Sequence, residues 1–297
     1  MLAEIDRIAV EHDVDFVIVA GDIFDRVDLT NQDRQILSNW LASTPKPVVM
    51  ISGNHDARSP KIGDTCLSYL SVLPLERHLI HDGDPELIKW QGANLILVPW
   101  HGWSNHEFYP IVSALLDRVE DDNPVIVVAH EAFAGGIVDS GMEITKPGQP
   151  KIPDFPNIYW ALGDLHLFQS MGNGAYYCGS PHQIDFGERV GKGCLVVKDR
   201  EVEFIPIAST VLTTMAEVPE IWPPFCRYMP ADHTEIIVPA GVEYVAPTGL
   251  MQSTAVKSEF RGALEGLEVS LRKTTLNSQH YDHAIVMAKE FLAAVEN

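Results

Sequence analysis

Glycine stands next to carboxylate, amide or imidazole side chains in three short segments, and a fourth segment pairs a histidine with a glutamate. The segments are Gly21-Asp22-Ile23-Phe24-Asp25-Arg26, Gly53-Asn54-His55-Asp56, Gly163-Asp164-Leu165-His166 and Ala129-His130-Glu131. Each follows a short apolar run that has the composition of a buried strand. One such segment alone is more typical of a turn or a solvated loop. Four of them in one chain indicate a shared site.

The side chains in these segments are typical ligands of divalent transition metals. Oxygen and imidazole ligands suit Mn²⁺, Fe²⁺ or Zn²⁺, and a neighbouring glycine lets the backbone turn so that the ligand points into a common site. A carboxylate such as Asp22 can bridge two cations about 3.5–4 Å apart, with a water between them as nucleophile. Such cations also neutralise charge on phosphate oxygens, so the pattern indicates phosphate-ester chemistry.

The elements that must position these residues alternate between helix and strand. Apolar spacing predicts helices over residues 2–12, about 31–43 and about 109–119. Continuous apolar runs predict buried strands at 15–20, 47–52, 94–99, 124–129 and 158–162, with a hairpin from 194–197 and 202–205. Ligands of open α/β sheets collect at the carboxyl ends of strands, and the polar segments lie there. The sequence therefore predicts an α/β fold.

In their order, the segments resemble the motifs of the calcineurin-like metallophosphoesterases. Those motifs run Asp-x-His, Gly-Asp-x-x-Asp, Gly-Asn-His-Asp/Glu, a lone His and Gly-His-x-His, and the second and third are present unaltered. The resemblance implies that Asp22 bridges two metals, that Asn54 and His130 bind the second metal, and that His166 binds the first. Asp164 replaces the first His of Gly-His-x-His and would be a carboxylate ligand to the second metal.

The same resemblance implies catalytic groups, cofactors and a fold. His55 would contact the scissile phosphate and help to protonate the leaving oxygen, with its ring oriented by Asp56. Two divalent metal ions are implied as cofactors, with Mn²⁺ favoured and Fe²⁺, Zn²⁺ or Mg²⁺ as alternatives. The implied architecture is a sandwich of mixed sheets flanked by helices, with a small C-terminal appendage.

Within that superfamily, residues 1–207 resemble the SbcD-like DNA repair and recombination nucleases, including phage forms. The likeness rests on VDFVIVAGDIFDR, VVMISGNHDA and YWALGDLHLFQ, and on Tyr177-Cys178-Gly179-Ser180-Pro181 followed by Asp185-Phe186-Gly187-Glu188. It implies a DNA exonuclease or endonuclease subunit of a double-strand-break repair or recombination complex. A coiled-coil ATPase subunit would be its partner, and a homodimer is a further implied assembly.

The chain departs from the family at its first motif, because no Asp-x-His precedes the predicted first helix. We expect either a truncated start or a natural variant whose first metal site is incomplete, with only Asp22 and His166 as ligands. His101 and His106 are spare candidates, although loop histidines are more often solvated. A missing first strand should leave neighbouring strands exposed or force another segment to substitute.

Composition leaves the substrate open. The 297 residues are 46% hydrophobic and carry a formal net charge of −20, which opposes unassisted binding to nucleic acid. Bound cations or a basic partner could compensate, or the substrates could be small. A small-molecule or nucleotide phosphodiesterase or phosphatase is therefore one alternative. A non-catalytic scaffold subunit, indicated by the absent Asp-x-His, is another.

The sequence also bears on membrane segments, disulfides and domain boundaries. The chain has no apolar run of the roughly 18 residues that span a bilayer and no signal-like N-terminus, so we expect a cytoplasmic protein without a membrane partner. Its four cysteines form no CxxC pair, which argues against a disulfide framework. We predict a metallophosphoesterase (nuclease) domain over 1–208, lacking its first strand. A small cap or partner-binding region would follow over 209–297, with a proline-rich boundary at 218–224 and a helix at about 281–295.

Overall fold

The structure is a computed structural model that describes residues 1–59, 64–155, 157–186, 188, 191–199 and 201–207, together with three short strands beyond them. The chain divides into two compact units, Met1–Thr213 and Thr214–Asn297. In the second unit, Cys226–Tyr228 pairs in parallel with Glu243–Tyr244. The predicted boundary at 218–224 and the predicted helix at 281–295 lie outside the described residues. The division of the chain at residue 208 stays a prediction.

The described part of the first unit contains three α-helices, a 3₁₀ turn at Ser68–Val72 and eleven strands before residue 207. The helices are α1 (Leu2–Glu11), α2 (Asn31–Ser43) and α3 (Asn105–Leu116). The strands are β1 (Val17–Ala20), β2 (Val48–Ile51), β3 (Leu79–His81), β4 (Glu86–Trp90), β5 (Ala93–Val98), β6 (Val125–His130), β7 (Ile158–Gly163), β8 (Gln169–Gly172), β9 (Ala175–Tyr177), β10 (Gly193–Lys198) and β11 (Glu201–Pro206). No helix in the described residues is both long enough and apolar enough to cross a membrane.

Capping side chains set where two helices begin. Thr30 caps α2 by accepting a hydrogen bond from the Asp33 amide, while the Asp33 carboxylate accepts from the Thr30 amide. The predicted bounds of this helix are confirmed. Helix α3 begins four residues before the predicted start, because the amide and hydroxyl of Ser104 both donate to Glu107 and fix an earlier first turn.

The strands form two main sheets and a hairpin. One sheet is parallel, with the order β1-β2-β3. The other has the order β4-β5-β6-β7-β9-β8, in which β5, β6, β7 and β9 run parallel and the edge strands β4 and β8 pair antiparallel. Strands β10 and β11 form the predicted hairpin. Strands β3, β4, β8 and β9 were not among the strands predicted from the sequence.

Strand alternation produces three apolar layers. The two sheets face each other through one cluster, which includes Val49, Ile51, Leu95, Leu97 and Val128. The opposite face of β2 packs against α1 and α2 in a second cluster, which includes Val48, Met50, Leu37, Trp40 and Leu41. The outer face of the six-stranded sheet packs against α3 in a third, which includes Ile96, Val98, Phe108, Val112 and Trp160. Because successive residues of a strand point to opposite faces, the result is the expected helix, sheet, sheet, helix sandwich.

Strand β1 is the edge strand of its sheet. Its four residues are half-buried, whereas all four residues of β2 are buried. Within the described residues, no strand pairs with the outer edge of β1. A cavity of about 1830 Å³ lies beside that edge, lined by residues of α1, β1, β7 and β10. An open edge beside an apolar groove is where a further strand could pair.

Candidate metal centre

The polar segments follow strands of both sheets and meet at one end of the sandwich. Asp22 follows β1 and Asn54 follows β2, while His130 ends β6 and Asp164 follows β7. Strands β1 and β2 are parallel, as are β6 and β7, so each pair presents its carboxyl ends at one edge. The fold therefore brings four of the predicted metal ligands together.

The imidazole of His130 is the centre of this group. It is 1% exposed, and its Nδ1 lies 2.7 Å from the carbonyl oxygen of Ala20. Its Nε2 lies 3.3 Å from Asp22 Oδ2 and 3.7 Å from Asp164 Oδ1. A hydrogen on Nδ1 that donates to the Ala20 carbonyl fixes the ring, so that Nε2 faces both carboxylates.

The spacing and chemistry of this group fit a divalent cation. One ligand atom from each of Asp22, His130 and Asp164 lies within 4.8 Å of the others. Ligands about 2.1 Å from a cation lie roughly 3 Å apart when they are adjacent in its coordination shell, which is close to the 3.3 Å between His130 and Asp22. Two carboxylates and an imidazole suit Mn²⁺, Fe²⁺ or Zn²⁺.

Proton and cation compete for this group. Burial acts to lower the pKa of His130, but the hydrogen bond to Asp22 and the charges of Asp22 and Asp164 outweigh it and raise the pKa to about 9. Burial acts to raise the pKa of Asp22, but His130 outweighs burial and the pKa is lowered. Burial raises the pKa of Asp164. The carboxylates that would share a cation with His130 are thus the groups that raise its pKa.

Glycine permits the close approach of the strand ends. A Cβ at Gly53 would overlap the side chain of Asp22, and a Cβ at Gly163 would overlap the carbonyl of Ala20. Asp22 and Asp164 themselves have φ values of 49° and 95°, in the left-handed region that non-glycine residues seldom adopt. Strain of this kind persists where the surrounding structure enforces it, and it concentrates at functional sites.

The side chain of Asn54 and the backbone amide of His55, both after β2, contact this group. The side-chain amide of Asn54 lies 2.9 Å from His130 Nε2. With its nitrogen turned inward, it donates to the two Asp22 oxygens at 3.2 and 3.3 Å; with its oxygen inward, it presents a ligand atom. The His55 amide donates to Asp22 Oδ1 at 2.9 Å.

The His55 ring is not oriented by Asp56, which corrects the expectation from the family resemblance. Its Nδ1 lies 2.9 Å from the carbonyl oxygen of Asp25, and the side chain is 46% exposed. The buried Asp56 carboxylate instead accepts hydrogen bonds from the amides of Gly53, Ile23 and Phe24. The Asp56 carboxylate therefore has these three amides, and not the His55 ring, as its hydrogen-bond donors. Asp56 therefore ties the two ligand-bearing loops together, and Asp25, to which the sequence pattern gave no role, positions His55.

His166 lies in a second cluster of ionisable side chains. Its Nδ1 lies 2.6 Å from Glu188 Oε1 and 3.7 Å from Asp139 Oδ2. Burial acts to raise the pKa of Glu188, but hydrogen bonds from Ile184, Lys192 and His166 outweigh it, and the pKa is lowered. His166 also lines the cavity that Asp22 and Asp164 line. Its role as a metal ligand stays a prediction.

Some residues of these clusters carried a sequence signal and others did not. Glu188 belongs to the Phe-Gly-Glu segment quoted for the resemblance, but no role followed from that motif. Asp139 and Lys192 stand in no motif. The spare candidates His101 and His106 belong to neither of these two clusters of candidate ligands in the described part of the chain. His101 instead stacks on Trp103, with ring centroids 4.9 Å apart.

Comparison with known proteins gives one family and several relatives. The sequence profile of the calcineurin-like phosphoesterase family matches residues 1–167. The DNA double-strand break repair protein Mre11 of Archaeoglobus fulgidus is 26% identical over 241 residues, which cover 69% of this chain and 52% of that protein. The SbcD component of the SbcCD nuclease of Rhodobacter capsulatus is 28% identical over 230 residues, covering 63% and 57%. The Mre11 of Methanopyrus kandleri is 25% identical over 195 residues, covering 60% and 42%. The chain thus spans about half the length of these relatives.

Proposed function

Because the chain belongs to the calcineurin-like phosphoesterase family, we propose that it is a metal-dependent DNA nuclease subunit of a double-strand-break repair or recombination complex. The observation that carries this proposal is the Asp22, His130 and Asp164 group at the meeting point of the two sheets. The names of the relatives, a double-strand break repair protein and a nuclease subunit, support the choice of DNA as substrate.

The residues that would hold the cofactor divide into a fuller set and a smaller one. Asp22, Asn54, His130 and Asp164 would hold one divalent cation, with Mn²⁺ as our choice. His166, with Asp22 shared, would contribute to a second. When bound, the cations supply Lewis acidity to the phosphate and activate the attacking water.

His55 is the proposed general acid. The hydrogen bond to the Asp25 carbonyl is the main cause that raises the pKa of His55, and it favours the protonated ring. Because Nδ1 is engaged by that carbonyl, Nε2 is the ring atom free to approach a substrate. The half-exposed imidazole can donate the Nε2 proton to the leaving oxygen as the P–O bond breaks.

The net charge of −20 bears on substrate and partners. Duplex DNA is a dense array of negative charge, so an acidic chain gains little affinity from the phosphate backbone by itself. We therefore include in the proposal a partner that supplies basic surface, an ATPase of the coiled-coil type, with a homodimer of this chain as the second assembly. The same charge favours a nucleotide or other small phosphodiester as the alternative substrate.

A parallel assay separates these functions. The purified full chain is incubated with Mn²⁺ and three substrates: linear duplex DNA, single-stranded DNA and bis(p-nitrophenyl) phosphate, with EDTA as the metal-free control. Mn²⁺-dependent cleavage of DNA supports the nuclease. Cleavage of the small phosphodiester with intact DNA selects the small-molecule phosphodiesterase. A chain that binds Mn²⁺ and cleaves none of the three is a scaffold, and the proposed activity is then wrong.

A further inference from the structure

A buried ionic network of Glu188 and Lys192 contacts His166. Glu188 accepts a hydrogen bond from His166 Nδ1 at 2.6 Å, and its other carboxylate oxygen is 2.9 Å from Lys192 Nζ. The side chains of Glu188 and Lys192 are only 4% and 5% exposed. Lys192 Nζ also donates to the backbone carbonyl of His166 at 2.9 Å. The network therefore forms hydrogen bonds with both the ring and the backbone of this histidine.

Glu188 is itself held rigidly. The amide of Ile184 donates to Glu188 Oε2 at 3.0 Å, and the Gln183 side chain donates to the Glu188 carbonyl at 2.8 Å. A buried carboxylate with a paired ammonium and several donors stays ionised and keeps one orientation. It accepts hydrogen bonds and cannot donate one. The proton shared with His166 therefore has to stand on Nδ1.

From this geometry we propose that Glu188 is a positioning residue that fixes the tautomer of His166, with hydrogen on Nδ1 and the lone pair on Nε2. His166 lines the same cavity as Asp22 and Asp164, so Nε2 is the nitrogen available to a cation there. This inference rests on the proposed function for the use of His166 as a ligand. It assigns a role to the glutamate of the Phe-Gly-Glu segment.

Asp139 and Lys192 have different parts in the network. Asp139 Oδ2 is 3.7 Å from His166 Nδ1, too far for a hydrogen bond. Its other oxygen is 3.9 Å from Lys192 Nζ. Asp139 is thus a neighbouring charge that does not select the tautomer. Lys192 compensates the charge of Glu188 and leaves that carboxylate free to accept from the ring.

The first experiment reads the tautomer directly, without metal or substrate. The full chain with ¹⁵N-labelled histidine is observed by long-range ¹H–¹⁵N NMR at a pH where His166 is neutral, and His166→Ala assigns the signals. We expect the Nδ1–H tautomer in the wild type and in Asp139→Asn, the matched control. In Glu188→Gln the neutral amide can either accept or donate, so we expect a mixture. A wild-type Nε2–H tautomer, or a Glu188→Gln ring that keeps the wild-type tautomer, overturns the proposal.

The second experiment follows Zn²⁺, a diamagnetic probe, on the same His166 nitrogen signals. Loss of an outer carboxylate partner typically weakens metal binding about 10–100-fold, so we expect that loss in Glu188→Gln and partial rescue in Glu188→Asp. Asp139→Asn should bind as the wild type does. An equal loss of Zn²⁺ affinity in Asp139→Asn would identify the Asp139, His166 and Glu188 cluster as a ligand set and would contradict a positioning role for Glu188. A wild-type His166 whose nitrogen signals do not respond to Zn²⁺ would also contradict the proposal.

The proposal can still be tested if the Glu188→Gln variant does not fold. If Glu188→Gln alone fails to fold, because Lys192 is then buried without its main partner, the double variant Glu188→Gln with Lys192→Gln removes both charges, and the same two readouts apply. Neither readout involves DNA or turnover. An inactive enzyme with the expected tautomer and Zn²⁺ response would contradict the nuclease function and leave the role of Glu188 intact.

Discussion

Nε2 of His130 lies 3.3 Å from Oδ2 of Asp22, although His130 ends a strand of one sheet and Asp22 follows a strand of the other. The contact exists only when the two sheets pack face to face. A cation held by both side chains would therefore bind the folded chain far more tightly than the unfolded one, and binding should stabilise the fold.

The first prediction concerns the charge of Asp22. Asp22→Asn keeps the size of the side chain but removes the carboxylate that faces His130, so metal-dependent hydrolysis should fall by several orders of magnitude. The measurement is the Mn²⁺-dependent rate on DNA and on bis(p-nitrophenyl) phosphate. Asp28→Asn is the matched control, because that carboxylate is exposed and pairs with the exposed Arg58 at 3.5 Å. Near-normal turnover in Asp22→Asn would show that this carboxylate holds no essential cation.

The second prediction separates proton transfer from metal binding at His55. His55→Ala should retain bound metal while the rate falls about 10²–10⁴-fold, because general acid catalysis of the leaving oxygen contributes that much. Metal content by mass spectrometry and single-turnover rates measure the two effects on the same sample. A variant that loses its metal together with its activity would identify His55 as a ligand.

The third prediction tests the close packing around the site. A Cβ at Gly53 overlaps the Asp22 side chain, so Gly53→Ala should destabilise the fold by about 1–3 kcal/mol and should weaken Mn²⁺ binding. A Cβ at Gly83 meets only a His81 side-chain atom at 3.7 Å, so Gly83→Ala should change neither. Denaturant unfolding and calorimetric Mn²⁺ titration provide the comparison. Equal behaviour of the two variants would mean that the loops relax freely around an added methyl group.

The fourth prediction concerns stability against pH at His78, away from the site. Burial lowers the pKa of His78, and its Nδ1 accepts a hydrogen bond from the Val48 amide at 3.1 Å, which requires the neutral ring. The folded state therefore binds fewer protons than the unfolded state just below pH 6.5, so the free energy of unfolding should fall as the pH drops from about 6.5 toward the lowered pKa.

His78→Asn is the comparison for this pH effect, because its side-chain oxygen can replace Nδ1 as acceptor and does not titrate. Its unfolding free energy should lack the part of the acid-side slope that His78 contributes. Urea unfolding of both chains between pH 5 and pH 7 measures the difference. Identical slopes would show that protonation of His78 is not coupled to folding.

Local pattern was enough to find the candidate ligands that follow β1, β2 and β7. These strands are continuous apolar runs that end in glycine and polar residues, so both the elements and Asp22, Asn54 and Asp164 were visible in the sequence. His130, at the end of β6, was a lone histidine, and only the family resemblance gave it a role. The short or edge strands β3, β4, β8 and β9 lack a comparable signal, because their extended conformation depends on pairing with neighbouring strands.

The outer contacts of the site could not be read from sequence spacing. Asp25 orients His55 through a backbone carbonyl, a group that every residue carries, so its side chain gives no clue. The family resemblance implied that Asp56 is the partner of His55, yet adjacent side chains seldom face each other in a tight loop. Glu188 and Lys192 reach His166 from a segment more than twenty residues on, which only the fold reveals.

Anomalous scattering from crystals of the full chain soaked in Mn²⁺ tests the central claim most directly. We predict a strong anomalous peak among Asp22, His130 and Asp164, with Asn54 turned to present its oxygen, and a weaker peak beside His166, where the chain contributes fewer ligands. Soaked Asp22→Asn crystals should lose the strong peak. A wild-type map whose only peak lies within the Asp139, His166 and Glu188 cluster, or one with no peak at His130, would contradict the proposed metal centre.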